Sequence, residues 1–277
     1  MARTHLASLT TMNSAARTPI TFVGGGNMGA ALVAGLLKAG WPASLITVVE
    51  TSSERRAQLV SLYPGIITSE KIAACTAGVI AVKPPAAAET CAALAKAGAT
   101  RVLSIAAGIG LSTLQSAAGA TAAVVRAMPN TPALVGEGAA AISGSSQCVE
   151  ADLAWAESVL GSVGTVVRVD EKLLDAVTAI SGSGPAYIFL IAEALMSSAV
   201  GAGLSPEISN ALVRQLLVGS AKLLQQSTET PAQLRANVTS PNGVTASAIQ
   251  ALEQAGIRAA IEATVQAAVS RSREMGS

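Results

Sequence analysis

The chain has 277 residues, a net charge of +1 and only 2% aromatic residues. Its basic residues are scattered and it has no aromatic stacking platform, which excludes a nucleic-acid partner, while its length suffices for two domains. Three widely spaced cysteines form no metal-ligand pattern; they fit buried thiols in a reducing compartment, so a cytoplasmic location and no metal site are expected.

The only histidine is His5, in the N-terminal tail, so a histidine acid, base or metal ligand in the folded body is excluded. Residues 1–18 hold Arg, Ser and Thr but no acid and no apolar core of signal-peptide length. They are expected to form a disordered extension, or to precede a start at Met12, in preference to a transit peptide. Two long uncharged stretches, Thr18 to Leu37 and Val102 to Val125, are interrupted by Gly and by polar residues. A bilayer span demands a continuous apolar run, so no membrane association is expected and both read as buried segments.

Ile20–Val23 is the first strand candidate, and Gly24-Gly25-Gly26-Asn27-Met28-Gly29 follows it directly. Ala30 to Lys38 then reads as a small-residue helix ending at Gly40. Strand, glycine turn and helix in this order form the arrangement that binds a dinucleotide. Gly24 permits the turn, Gly26 admits the pyrophosphate to the backbone, and Gly29 lets helix and strand pack closely. The free N–H groups of the helix start, from Asn27 and Met28 onward, face the phosphates.

Further strands are expected at Leu45–Val49, Gly65–Thr68, Gly78–Val82, Arg101–Ile105 and Thr121–Arg126, and two more at Ala139–Ser143 and Thr165–Val169 around a helix from about Val149 to Leu160. Short apolar runs, each closed by Gly, Pro or Ser, predict a doubly wound, mostly parallel sheet with helices on both faces. This Rossmann-type dinucleotide-binding domain is placed at 19–170. After Asp170 the strand-like runs stop. Helices are expected at about Glu171–Ile180, Pro185–Gly201, Pro206–Gln226, Pro231–Asn237, Thr245–Ala255 and Ile257–Arg273. Ser205-Pro206 and Thr230-Pro231 each set a cap residue before a first-turn proline. The all-helical domain at 171–277 has apolar faces too extensive for it to bury alone, which predicts a subunit interface.

Glu50 ends the second strand, where an acid binds the adenosine ribose and, because a carboxylate repels a 2′-phosphate, favours NAD. Thr51, Ser52, Ser53, Arg55 and Arg56 follow with hydroxyls and guanidiniums that suit a 2′-phosphate; alternatively a serine caps the next helix and the arginines are solvated. Both NAD and NADP stay open. Ala81-Val82-Lys83-Pro84 and Ser104-Ile105-Ala106-Ala107-Gly108 lie at the carboxyl ends of the fourth and fifth strands, where the nicotinamide end is expected, with Lys83 facing the cofactor. Met128-Pro129-Asn130-Thr131-Pro132 is a proline-locked turn at the same edge. In the helical half, Ser181-Gly182-Ser183-Gly184-Pro185 reads as a flexible hinge entering a buried helix. Thr239-Ser240-Pro241-Asn242-Gly243-Val244-Thr245 feeds a helix start whose Gly243, Val244 and Thr245 amides are free to grip a carboxylate.

These motifs, in order from Ile20 to about Leu252, make the chain similar to pyrroline-5-carboxylate reductase. The resemblance implies hydride delivery from NAD(P)H to the C=N carbon of 1-pyrroline-5-carboxylate, giving proline. It implies a helical dimerisation domain and commonly a ring of dimers, a decamer, with active sites at the dimer interface. By position, Val244 and Thr245 would hold the substrate, Thr245 through the ring nitrogen, and Glu171 and Asn237 would line the substrate and cofactor pocket. The resemblance slightly favours NADPH, whereas Glu50 argues for NADH. Thr68 stands where an Asn is usual near the adenosine. Asn242 and Val244 depart from the usual Ser-Pro-Gly-Gly-(Thr/Ala)-Thr turn, and Asn tolerates the left-handed conformation there. The rival enzymatic reading, a β-hydroxyacid dehydrogenase, needs a catalytic Lys in the helical half, where Lys172 and Lys222 lie in no matching motif. A dinucleotide sensor without turnover is the remaining alternative.

Overall fold

The structure is a computed structural model that describes residues 17–120 and 122–276. The N-terminal extension up to residue 16, with His5, and Thr121 at the expected start of the sixth strand lie outside the described residues. The described chain divides into two compact units, residues up to Gly182 together with the final turn from Ser272, and Ser183–Arg271.

The first unit is built on an eight-stranded sheet of order β3-β2-β1-β4-β5-β6-β7-β8. Its strands are β1 (Ile20–Val23), β2 (Ile46–Val49), β3 (Ile67–Ser69), β4 (Ala77–Ile80), β5 (Arg101–Ser104), β6 (Ala123–Met128), β7 (Gly138–Gly144) and β8 (Gly164–Arg168). β1 to β6 run parallel; β7 is antiparallel to β6, and β8 runs parallel to β7. Side chains alternate between two cores, as the period of a strand requires. Ile20, Phe22, Val79, Leu103 and Val125 face one core, against Leu32 and Leu36 of α1 (Asn27–Lys38), Leu59 of α2 (Ser53–Leu62) and Trp155 of α5 (Glu150–Leu160). Val23, Ile80, Val102 and Val124 face the other, against Leu94 of α3 (Ala87–Lys96) and Leu114 of α4 (Leu111–Ala118). Burial on both faces explains why these strands read as unbroken apolar runs.

From β1 the chain winds one way to β2 and β3, and from β4 the other way to β5 and β6. The crevice between the carboxyl ends of β1 and β4 is therefore the topological switch point, the place where such sheets bind ligands.

The chain from Glu171 remains with this unit for one more segment. A 3₁₀ turn (Glu171–Leu173), α6 (Leu174–Val177) and a π-turn (Thr178–Gly182) follow one another, with Leu174 and Ala179 fully buried. The expected flexible hinge is thus helical. Ser181 Oγ donates to Val177 O at 3.1 Å, Thr178 Oγ1 donates to Leu174 O at 2.8 Å, and a Cβ on Gly182 would come within 2.6 Å of Met128 Cε.

The second unit holds α7 (Gly184–Gly201), α8 (Pro206–Gln226), α9 (Pro231–Asn237), α10 (Val244–Gln254) and most of α11 (Ile257–Gly276). The two Ser/Thr-Pro starts cap as expected, Ser205 Oγ accepting from Ile208 N at 3.3 Å and Thr230 Oγ1 from Gln233 N at 3.2 Å. α7 is not the buried helix expected: none of its residues is buried in the single chain, and Phe189 and Leu190 are 62% and 66% exposed. The continuous helical run Glu171–Gly201 is long and apolar enough, by length and composition, to cross a membrane. Its open face is continued on α8 by exposed Leu212 and Leu216.

Candidate functional site

The glycine loop at the switch point is shaped by steric necessity at two positions. Gly24 has φ +105°, and a Cβ on it would lie 2.5 Å from Ala81 O; a Cβ on Gly29 would lie 2.3 Å from Gly24 O. Loop, helix and the β4 edge therefore meet at a distance that only glycine permits. Gly26 is different: no atom lies within 4 Å of a Cβ built there, which leaves the open cradle a pyrophosphate needs. Gly26 is the N-cap of α1, and the first bond back to it is Ala30 N to Gly26 O at 2.9 Å. The amides of Asn27, Met28 and Gly29 precede that bond and point out of the helix start.

Glu50 sits beside this loop with both carboxylate oxygens engaged. Oε2 accepts from Gly25 N and Oε1 from Ser52 N, each at 3.0 Å, and Thr51 Oγ1 lies 3.4 Å from Oε1. Partial burial pushes its pKa up, but the amides of Ser52, Gly25 and Thr51 more than offset this and hold the carboxyl below its ordinary value. Ser52 caps α2, its Oγ accepting from Arg55 N at 3.1 Å. The arginines are not simply solvated: Arg55 Nε donates to Gly25 O at 2.7 Å, and Arg56 Nη1 donates to Glu50 O at 2.7 Å and Thr51 O at 2.9 Å. Thr68 pairs with Val48 on the neighbouring strand, half-buried.

Ala81 continues the ladder beyond β4, its N–H donating to Val23 O at 2.8 Å; Val82 and Pro84 are half-buried and Lys83 is exposed. Ala106 is buried, while Ala107 and Gly108 are half-buried and Gly108 holds φ +76°. The turn after β6 is locked by a residue whose role the sequence did not reveal. Asn130, 8% exposed, donates from Nδ2 to Ser181 O at 2.9 Å and accepts at Oδ1 from Ala139 N at 2.8 Å. Glu171 lies on the same unit, its Oε1 accepting from Leu111 N at 2.6 Å and from Arg126 Nη1 at 2.9 Å. Leu111 N is the first amide of α4, so Glu171 caps that helix from a distant part of the chain.

The second unit carries the other set of expected residues. Asn242 adopts φ +55°, the one non-glycine residue with positive φ among those described. This lets the Ser240–Gly243 turn close with Gly243 N donating to Ser240 O at 3.0 Å. Gly243 N–H is therefore committed to the turn, not free as expected; a Cβ here would lie 2.3 Å from Ser240 Oγ and 3.1 Å from Ser240 O, so a larger residue would have to displace the Ser240 hydroxyl. The first bond of α10 is Ser247 N to Gly243 O at 3.2 Å, so the outward amides are those of Val244, Thr245 and Ala246. Sequence reasoning passed over Ala246, which only the position of the first helical bond reveals. Val244 is 89% exposed and Thr245 half-buried. Asn237 is tied locally, Nδ2 donating to Glu229 Oε2 and Oδ1 accepting from Gln233 Nε2, both at 2.9 Å.

The cysteines offer no nucleophile: burial pushes the Cys91 thiol up to about 11, and raises Cys75 and Cys148 as well. Lys172 is exposed and pairs with Asp170 at 3.3 Å.

Comparison with known proteins matches two different family models to the two halves of the chain. The family model described as pyrroline-5-carboxylate reductase dimerisation matches residues 171–275, and that of coenzyme F420-dependent NADP oxidoreductase matches residues 19–108. Pyrroline-5-carboxylate reductase from Mycobacterium tuberculosis is 38% identical, over 92% of this chain and 96% of its own length. The solved pyrroline-5-carboxylate reductase of Coxiella burnetii is 33% identical with a TM-score of 0.89, covering 94% of this chain and 99% of its own. That of Plasmodium falciparum, solved with NADP bound, is 30% identical with a TM-score of 0.81, over 94% and 98%. Sequence identity and fold agree over nearly the whole length, and the chain belongs to the pyrroline-5-carboxylate reductase family.

Proposed function

We propose that this chain reduces the C=N bond of 1-pyrroline-5-carboxylate to L-proline with NAD(P)H, as the last step of proline synthesis. The observation that carries the substrate half is the start of α10. Gly243, packed against Ser240, and a left-handed Asn242 present the Val244, Thr245 and Ala246 amides together. Outward N–H groups at a helix start suit the carboxylate of a small cyclic imino acid. Thr245 Oγ1 orients the ring nitrogen and Gly243 shapes the turn, while Asn237 on the same unit and Glu171 on the sheet unit, the further residues assigned to substrate and cofactor, are each held by the bonds described above.

For the cofactor, the open cradle at Gly26 and the Asn27–Gly29 amides fit a pyrophosphate, and Glu50, Thr51, Ser52 and Thr68 border the adenosine. Ala81–Pro84 and Ala106–Gly108 border the nicotinamide, with Lys83 at the rim. When bound, the nicotinamide supplies the hydride. A protonated cyclic imine is already electrophilic, so the protein contributes orientation more than acid or base strength, in keeping with side chains that offer a hydroxyl and amides. Arg55 and Arg56 beside the adenosine support NADPH, and the ionised Glu50 supports NADH; of the two, NADPH is the reading we adopt. Self-association as a homodimer through the apolar faces of α7 and α8, assembling further into a ring of dimers, accounts for a face that a single chain leaves open. A cytoplasmic location fits the free cysteines.

The test is spectrophotometric. Adding pyrroline-5-carboxylate to protein and NADPH, and separately NADH, is expected to consume the reduced cofactor and yield proline, faster with NADPH. Cofactor binding with no consumption of either would establish a dinucleotide sensor instead.

A further inference from the structure

The last turn of α11 packs with the sheet unit although the rest of the helix belongs to the other unit. Ser272 is 8% exposed, and its Oγ donates to Asp175 Oδ1 at 2.7 Å. Arg273 Nε lies 3.9 Å from the other carboxylate oxygen. Asp175 is fixed in turn, because it stands on α6 next to Leu174, which is fully buried. From this anchor the turn reaches the loop after β5. A Cβ on Gly108 would lie 3.4 Å from Met275 O and 3.5 Å from Met275 Cβ, and one on Gly276 would lie 3.1 Å from Gly108 O. Backbone thus meets backbone at the point where Gly108 takes φ +76°.

We propose that Ser272 and Asp175 form a clasp that holds the end of α11 against Gly108 and so sets the position of the Ala106–Gly108 loop toward the cofactor. Ser272 is a positioning residue: it acts through Met275 and Gly108 and touches neither reactant. The inference rests on the reading of Ala106–Gly108 as the nicotinamide border. Its physical basis is that a loop ending in a left-handed glycine is held in place by few bonds of its own, and a backbone packed on that glycine removes its remaining freedom. The hydroxyl–carboxylate bond is charge-assisted and nearly enclosed, the kind of bond whose loss is felt.

The test uses the full-length protein with Ser272→Ala, Ser272→Thr and Asp175→Asn. Fluorescence titration with NADPH needs no turnover, and steady-state kinetics run beside it. Ser272→Ala is expected to weaken NADPH binding about 5-fold, the effect of one lost hydrogen bond, and to raise the cofactor KM equally. The KM for pyrroline-5-carboxylate, kcat and the oligomeric state should stay as they are. Ser272→Thr keeps the hydroxyl and Asp175→Asn keeps an acceptor, so both should bind NADPH as the parent does. An unchanged NADPH affinity in Ser272→Ala overturns the clasp. So does a rise of both KM values together with a fall in kcat and melting temperature, which marks a merely structural bond. Should Ser272→Ala not fold, Asp175→Ala, which removes the same bond from its other side, decides: weakened NADPH binding with an unchanged KM for pyrroline-5-carboxylate, kcat and melting temperature supports the proposal, and parent-like NADPH binding overturns it. If the parent protein binds NADPH but does not reduce pyrroline-5-carboxylate, the functional reading fails while the titration still judges the clasp.

Discussion

The sheet unit and the helical unit solve the same problem in opposite ways. The sheet unit buries its large apolar side chains within one chain: Phe22, Leu32, Leu36, Leu59, Leu94, Leu103 and Leu114 are fully enclosed. In α7 and α10 nothing is buried, and in α8 only Ser209 and Val213 are. A monomeric protein does not keep such a face open to water. The sheet unit therefore completes its core within one chain, while the helical unit leaves its apolar faces open in the single chain, which on the reading proposed above a second copy covers.

The sharpest way to break this comparison is to charge the open face. Phe189→Asp places a carboxylate where an aromatic side chain, 62% exposed in the single chain, is expected to meet a partner. In a two-fold dimer the lesion occurs twice, so the expected loss is about 4 kcal/mol or more of association, roughly a thousand-fold. Light scattering should then show monomers and the reductase assay should show little activity, whereas NADPH titration should be unchanged. A dimer that survives intact would mean that α7 is covered by something other than a second copy.

On the sheet side the matching lesion is Gly24→Ala. It forces a side chain into φ +105° and sets its Cβ 2.5 Å from Ala81 O. Strain and overpacking together should cost about 3 kcal/mol. The expected result is a lower melting temperature and loss of NADPH binding, with the dimer retained. Normal NADPH affinity in this variant would show that the glycine loop does not hold the pyrophosphate.

The two units also differed in how far the sequence disclosed them. Strand positions were legible because apolar runs end at Gly, Pro or Ser. Strand ends slipped by up to two residues, at β3, where Ile66 is buried ahead of the strand, at β4, which ends at Ile80, and at β6, which runs on to Met128. The Ser-Pro and Thr-Pro helix starts were legible for the same local reason. What could not be read is what depends on a partner distant in the chain. Ser181-Gly182-Ser183-Gly184 carries the composition of a hinge, yet it continues as helix because Met128 closes on Gly182 and Asn130 grips Ser181 O. The strands cease at Asp170, but the first compact unit continues to Gly182, since Glu171, Leu174, Asp175 and Ser181 all bond or pack to it. Gly243 was visible as a turn residue, but the use of its N–H inside that turn was not. Ser272 looked like any polar residue near a helix end until Asp175 appeared beside it.

A milder change separates holding the substrate from holding the cofactor. Thr245→Ala removes the one hydroxyl offered at the start of α10 without disturbing the Val244, Thr245 and Ala246 amides. kcat/KM for pyrroline-5-carboxylate should fall about 10-fold, near 1.5 kcal/mol, with NADPH affinity and assembly unchanged. Serine at this position should restore most of the loss. Parent-like kinetics in Thr245→Ala would remove the threonine from the reaction and leave the amides to act alone.

The smallest expected effect, and the one that divides the two cofactors, is at Glu50. Its carboxylate accepts from Gly25 N and Ser52 N, and glutamine in its place turns an amide N–H₂ toward one of those donors. The loss of about 1 kcal/mol should weaken NADH binding roughly 5-fold. NADPH should suffer less, because the same change removes a negative charge from beside the 2′-phosphate. The ratio of the two affinities must therefore move toward NADPH; an unchanged ratio would mean that Arg55 and Arg56 already screen Glu50 completely, and a shift toward NADH would remove Glu50 from cofactor discrimination. The pH dependence follows from the lowered pKa. A carboxyl held below its ordinary value contributes stability that is fully present above its unfolded pKa and is lost as pH falls through the folded one. The difference in stability between the parent and Glu50→Gln should accordingly be constant at neutral pH and shrink only below the ordinary carboxylate range. A difference that instead changed between pH 6 and 8 would have to come from another group, and the described residues contain no histidine to supply it.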